Sequence, residues 1–157
     1  MNPEKLSIME KREYDELIEN QYLCRMSYMG DKFPQIKPFV YTFDGKYIYI
    51  LASKYGKKLQ FLKKNPVVTL EIEKYSENLS DYKFVTLSGK LVQIKDEKTK
   101  RAVRSDFVDL IKSRKISNNI MKALGHSEDE PVEAIKDKEK NLVFKLTEVE
   151  NITGIKR

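Results

Sequence analysis

Apolar and polar residues alternate with a period of two along much of the chain, interrupted by four stretches where the period lengthens to that of a helix. The first, about residues 8–20, puts Tyr14, Leu17 and Ile18 on one face. Ser7 with Glu10 fits a capping box at its start, and Asn20 offers a stop. The pattern then shortens. Residues 22–29 read as a strand, followed by a turn at Gly30-Asp31. Residues 35–43 and 46–53 are two more strands, joined by Asp44-Gly45, a pair that favours a two-residue hairpin. A short helix occupies the middle of "SKYGKKLQFLKKNP", Ser53 to Pro66. In the next strand, 66–73, Val68, Leu70 and Ile72 point one way and Thr69, Glu71 and Glu73 the other. Residues 82–96 form a long strand with Gly89 inside it, the mark of a bulge or a barrel corner.

Helical spacing returns over residues 97–114, with Val103, Phe107, Leu110 and Ile111 on one stripe, and over 117–125, with Ile120, Met121 and Leu124 inward. A polar loop leads to a last strand, "NLVFKLTEVENITGIKR", with a break near Asn151. Short connections and hairpins dominate. The order predicts an antiparallel sheet closing into a small barrel, with helices packed outside. Strand 46–52 is apolar on both faces, because Tyr47, Tyr49 and Leu51 alternate with Ile48, Ile50 and Ala52. It fits a barrel wall that also packs against a helix or a second subunit.

The length of 157 residues suits one domain with a real hydrophobic core. No apolar run approaches a membrane span. The N-terminal "MNPEKLSIMEKREYDE" is acidic and lacks the apolar segment of a signal peptide. A single cysteine, Cys24, allows no internal disulfide and reads as a small buried hydrophobe. A cytoplasmic location is expected. The net charge of +6 asks for an anionic partner. Lysines outnumber arginines 24 to 6 and are interspersed with glutamates, so a small anion suits this balance better than nucleic acid. A basic nucleic-acid module built on helices 97–124 is the lesser reading.

The sequence holds no nucleophile elbow, Walker loop or dinucleotide glycine fingerprint. His126, the only histidine, follows Gly125 at a helix end, where it is expected to cap carbonyls or face solvent. It has no partner at metal-ligand spacing. Glu71 and Glu73 read as one solvated strand face. The four lysines of the short helix divide. Lys63 and Lys64 lie at its C-terminus, where the helix dipole favours cations. Lys57 and Lys58 lie in the first turn, where unpaired N–H groups already present positive charge. A strand–loop–helix unit of this kind aims its N–H groups at an anion. Ser53 adds a hydroxyl and Gly56 allows close approach. Local physics alone leaves two readings open, a phosphate clamp and a solvated amphipathic helix.

Three segments together resemble the flavin-binding split-barrel proteins of the pyridoxamine 5′-phosphate oxidase-like superfamily, including the small nitroimidazole-resistance-type flavoproteins. They are the strand from Pro34 to Tyr41 leading to Asp44-Gly45, the stretch from Ser53 to Val68, and the closing "NITGIKR" of residues 151–157. The resemblance covers roughly residues 8–95 and 142–157. It implies one mainly β domain over 1–157, an antiparallel six-stranded split barrel with flanking helices, working as a homodimer with FMN at the subunit interface. By position it implies that Lys57 and Lys58 hold the FMN phosphate, that Ala52 and Ser53 contact the ribityl phosphate region, and that the backbone of Lys37, Phe39, Val40 and Tyr41 lines the isoalloxazine ring. A one-residue slip of that strand would exchange its faces. Arg25 is a further candidate for the flavin's polar edge. No metal is implied, and no side chain stands out as an acid or base. The expected function is an FMN-dependent oxidoreductase passing hydride or electrons through flavin N5 to a small acceptor. The alternatives are a non-enzymatic flavin or haem binder or sensor and a deazaflavin-dependent reductase. The Arg/His substrate segment of the true oxidases has no match here, so pyridoxamine phosphate is not the expected substrate. Lys57 stands where arginine is frequent, which keeps the charge and loses the bidentate fork.

Overall fold

In the computed structural model, which describes residues 6–157, the alternating segments close on themselves. The elements run β1 (Ser7–Ile8), α1 (Lys11–Asn20), β2 (Leu23–Met29), β3 (Pro34–Phe43), β4 (Ile48–Ser53), α2 (Lys57–Lys64), β5 (Val67–Tyr75), β6 (Tyr82–Gln93), α3 (Glu97–Ser113), α4 (Ile120–Ala123), α5 (Ala134–Asp137) and β7 (Asn141–Lys156). The sheet order is β7-β4-β3-β2-β5-β6, with β6 returning to β7, and every pairing is antiparallel. This is a closed six-stranded barrel with flanking helices, as the period-two segments predict. β1 adds to the far end of β7 through Ser7–Lys156 and Ile8–Ile155.

Two hydrophobic clusters follow from the strand alternation. The inner one fills the barrel with Met26, Tyr28, Tyr41, Ile50, Leu70, Ile72, Val85 and Leu146, among others. The outer one packs Val40, Tyr49, Leu51 and Val143 of the wall against Val103, Phe107, Val108 and Ile111 of α3 and against Met121, Leu124 and Ile135. β4 supplies both, Ile48, Ile50 and Ala52 inward, Tyr49 and Leu51 outward. Its two apolar faces therefore belong to the barrel core and a helix layer. Each fully buried aliphatic side chain contributes about 1.5–3 kcal/mol over the exposed state.

Local punctuation differs from the sequence expectation in four places. Ser7 is not a helix cap, because its backbone is paired with Lys156. Glu10 takes the role and forms a capping box with Glu13, so α1 begins at Lys11. Asp44-Gly45 is not a two-residue hairpin. Phe43 pairs with Ile48, which leaves a four-residue connection. Asp44 Oδ1 accepts the N–H groups of Lys46 (2.9 Å) and Tyr47 (2.7 Å), so the carboxylate holds those residues in the turn and β4 starts at Ile48. The helix expected over 117–125 shortens to α4. It stops before Gly125, whose φ of +88° is a left-handed conformation that suits glycine. Finally, His126 is buried rather than capping or solvated.

Gly89 marks a bulge as expected. The β6–β7 register shifts on both sides of Ser88, and a Cβ on Gly89 would lie 2.6 Å from the Thr147 carbonyl oxygen. Opposite, β7 carries Glu148 and Asn151 at φ of +50° and +53°, and the second is the break foreseen at Asn151.

Candidate functional site

β3 is longer than the pairing it receives from β4. β2 pairs with it from Pro34 to Val40, whereas β4 pairs only with Tyr41–Phe43. β4 stays paired with β7 on its other edge from Tyr49 to Ser53, while beyond Ile50 it parts from β3. The β4-facing edge of β3 from Pro34 to Val40 thus has no strand partner among the described residues. Tyr41 donates its N–H to the Tyr22 carbonyl on the β2 side (2.9 Å). Alternation along the strand turns the N–H groups of Val40 and Ile36 the other way, into the split.

Beside this edge lies an open cleft of about 490 Å³, lined by Tyr28, Gln35, Lys37, Pro38, Tyr55, Gly56, Lys57, Lys58 and Phe61. Its wall on one side is β3. On the other it is the β4–α2 loop and the first turn of α2. Ser53 Oγ accepts the Tyr55 N–H (3.2 Å), which braces the loop as it leaves the strand. Gly56 at φ +102° starts α2, and no side chain among the described residues caps the helix. The first-turn N–H groups are left to solvent or a ligand. Leu59 and Leu62 anchor α2 in the barrel core, and this amphipathic spacing puts Lys57 and Lys58 at the cleft.

Lys37, Lys57 and Lys58 converge there, and none makes an ion pair among the described residues. Lys57 is exposed and Lys58 half-buried. Lys58 Nζ lies 5.0 Å from the centre of the Phe39 ring. Burial, and then the charge of Lys37, push the Lys58 ammonium below its usual pKa. A cation destabilised in this way, beside uncapped N–H groups, is suited to an anion that neutralises it.

The other sequence candidates fall into two groups. Phe39 and Ala52 are buried in the barrel core, Phe39 under Lys58 and Ala52 at the strand end that leads into the loop. Val40 and Tyr41 present their side chains to the outer and inner clusters, and Tyr41 Oη donates to the Ile18 carbonyl at 2.6 Å. Of these two, only the Val40 backbone is directed at the split. Arg25 is not brought to the cleft. It pairs with Glu73 and, at 3.8 Å, with Glu71 on the outer barrel face. Those two carboxylates are therefore half-buried partners of an arginine, not a solvated face. Burial raises the Glu71 pKa, with Arg25 opposing it. Tyr28, Gln35, Tyr55 and Phe61 were not foreseen. Gln35 is two residues from Lys37 and shares its side of the strand. Tyr28 joins them only because the β2–β3 register sets it opposite Gln35.

The molecule is thus a split barrel with a cationic cleft at the opening between β3 and β4. Residues 10–142 match the family described as pyridoxamine 5′-phosphate oxidase, and the chain belongs to that family. No curated protein matches the sequence. Among solved structures, an FAD-binding protein from Mesorhizobium loti superposes with a TM-score of 0.71 at 15% identity, covering 97% of this chain and 98% of the other. A candidate 5-nitroimidazole antibiotic resistance protein from Bacteroides thetaiotaomicron gives 0.59 at 18% identity, covering 99% and 94%. The haem storage protein HutZ from Vibrio cholerae gives 0.63 at 10% identity, covering 93% and 94%. At these identities the likeness is one of fold. No helix among the described residues is long and apolar enough to cross a membrane.

Proposed function

We propose that the cleft takes the phosphate of FMN and that the protein is a flavoprotein oxidoreductase, acting on a small acceptor as a cytoplasmic homodimer with the flavin at the subunit interface. One observation carries the proposal: three lysines without an ion-pair partner among the described residues, Lys37, Lys57 and Lys58, meet at a helix start that no described side chain caps, beside an open strand edge. Lys57 and Lys58 would hold the phosphate, with the α2 N–H groups completing the clamp. The free N–H groups along β3 would meet the polar edge of the ring system, and Tyr28, Tyr55 and Phe61 supply apolar contact. The flavin, when bound, supplies hydride or electron transfer at N5. The protein's residues bind it, orient it and shape access.

This proposal is consistent with the FAD-binding description of the Mesorhizobium loti structure, while a single phosphate clamp favours the mononucleotide. The likeness to HutZ brings haem into consideration. His126, the only histidine, has a side chain with no exposed surface, which disfavours it as an axial ligand. The test is the visible spectrum of the purified protein with mass identification of the released cofactor. FMN is expected. A Soret band, a deazaflavin mass, or a colourless protein that takes up no added FMN would overturn the assignment. Light scattering checks the dimer, and NAD(P)H turnover with nitroaromatic or quinone acceptors separates an enzyme from a binding protein.

A further inference from the structure

A second cavity lies at the other end of β3. The cleft uses Gln35, Lys37 and Pro38, whereas this cavity uses Phe43, which is about 20 Å from Lys37 along an extended strand. Its volume is about 300 Å³. Phe43, Ile48, Leu87, Leu146, Val149 and Ile152 form its apolar walls, and Tyr14 and Ile18 of α1 close one side. The charged residues lining it are Lys11, Asp15 and Lys46. Lys11 is paired with Asp15. Lys46 has no carboxylate partner among the described residues and rests 5.1 Å from the Tyr47 ring centre. A mostly apolar enclosure with a few polar groups at its edge is the usual build of a small-molecule site.

The backbone points to the same place. Val149 and Ile152 are each 41% exposed, and each follows a residue at positive φ, Glu148 and Asn151. Glutamate at positive φ costs about 1 kcal/mol or more. The register shifts around Ser88 fall opposite this stretch, where Ser88 pairs with Glu150. Bulges re-aim side chains and gather near binding sites. Here they turn two aliphatic side chains into a cavity rather than into the barrel core.

We infer that this cavity binds a small molecule with an apolar body and one acidic group, the body against Phe43, Leu87, Leu146, Val149 and Ile152 and the acid at Lys46. The site is separate from the cleft and does not depend on the flavin assignment. The probe is 4-phenylbutyrate, with 4-phenylbutan-1-ol as its neutral counterpart, titrated by calorimetry into the protein as purified with its cofactor content recorded. One 4-phenylbutyrate per chain is expected, binding more tightly than the alcohol. Val149→Trp and Ile152→Trp each fill the cavity from an exposed position and should weaken the acid by roughly tenfold or more, because the indole takes the space of the apolar body. Lys46→Glu should weaken the acid several-fold and leave the alcohol unchanged. Lys57→Ala with Lys58→Ala should leave this binding unchanged. Absence of binding by both probes, or binding indifferent to all three cavity variants, would overturn the inference.

Discussion

Lys58 Nζ stands 5.0 Å from the centre of the Phe39 ring, and through that pairing the cationic cleft is built directly onto the barrel core. The ring face attracts the ammonium and at the same time removes part of its water. Lys37 adds repulsion. The Lys58 ammonium is therefore held in a state that a bound anion would improve.

Replacing both Lys57 and Lys58 with alanine should leave the fold intact, since neither is in the core, and should weaken FMN by roughly a hundredfold, about tenfold for each charge-assisted hydrogen bond removed. Fluorescence titration of added FMN reads this. Unchanged affinity would place the phosphate elsewhere.

The same lysine sets a pH dependence. Its pKa is lowered in the folded protein, so the unfolded chain binds more protons in the window just below 10.5. Through that window the ligand-free protein should gain stability from Lys58 as pH rises, while FMN affinity should fall as the ammonium loses its proton. Denaturant unfolding between about pH 7 and 10, with and without FMN, compares wild type with Lys58→Met. The variant should lose the Lys58 contribution to both slopes and, without ligand, be no less stable. Parallel curves for the two proteins would contradict this.

Arg104 joins the helix layer to the start of β7. It is buried and donates to Asn141 Oδ1 (3.3 Å), the Asn141 carbonyl (2.9 Å) and Glu139 Oε1 (3.2 Å), while Asn141 Nδ2 donates to the Leu124 carbonyl (3.1 Å). Asn141 is also the β7 partner of Ser53. Arg104→Ala should cost about 3 kcal/mol in unfolding free energy, because it strands buried acceptors and leaves a cavity. A loss under 1 kcal/mol would mean that water replaces the network.

Glu130 ties the loop after α4. Its pKa is lowered to about 2, first by the Ser127 N–H, then by His126, with Lys138 and Lys140 assisting. His126 Nδ1 lies 3.1 Å from its carboxylate. Because the folded pKa is depressed, the stabilisation is present above the unfolded value and is lost as pH falls toward 2. Glu130→Gln should lower the Tm by a few degrees at neutral pH, with the difference closing in acid. A gap that persists there would point to packing rather than charge.

Much of the barrel was legible in the chain. Alternation in Val68–Leu70–Ile72 and the two apolar faces of 46–52 followed from strand geometry, which acts locally. Lys57 and Lys58 stood out because a helix start disfavours cations, another local effect. His126 and Arg104 were misjudged or missed because each owes its environment to residues far along the chain or in a neighbouring loop. The Asp44 turn and the Ser7 cap went astray for a related reason, since a carboxylate's choice of N–H donors and a strand's partner outweigh dipeptide preference. Local periodicity and composition set the repeating faces, the helix stripes and the charge at the start of α2. That β4 leaves β3 at Tyr41, that Lys37 meets Lys57 and Lys58, and that Val149 and Ile152 open a second cavity emerged with the folded arrangement. Those depend on register and closure, in which residues distant in the chain must first be brought side by side.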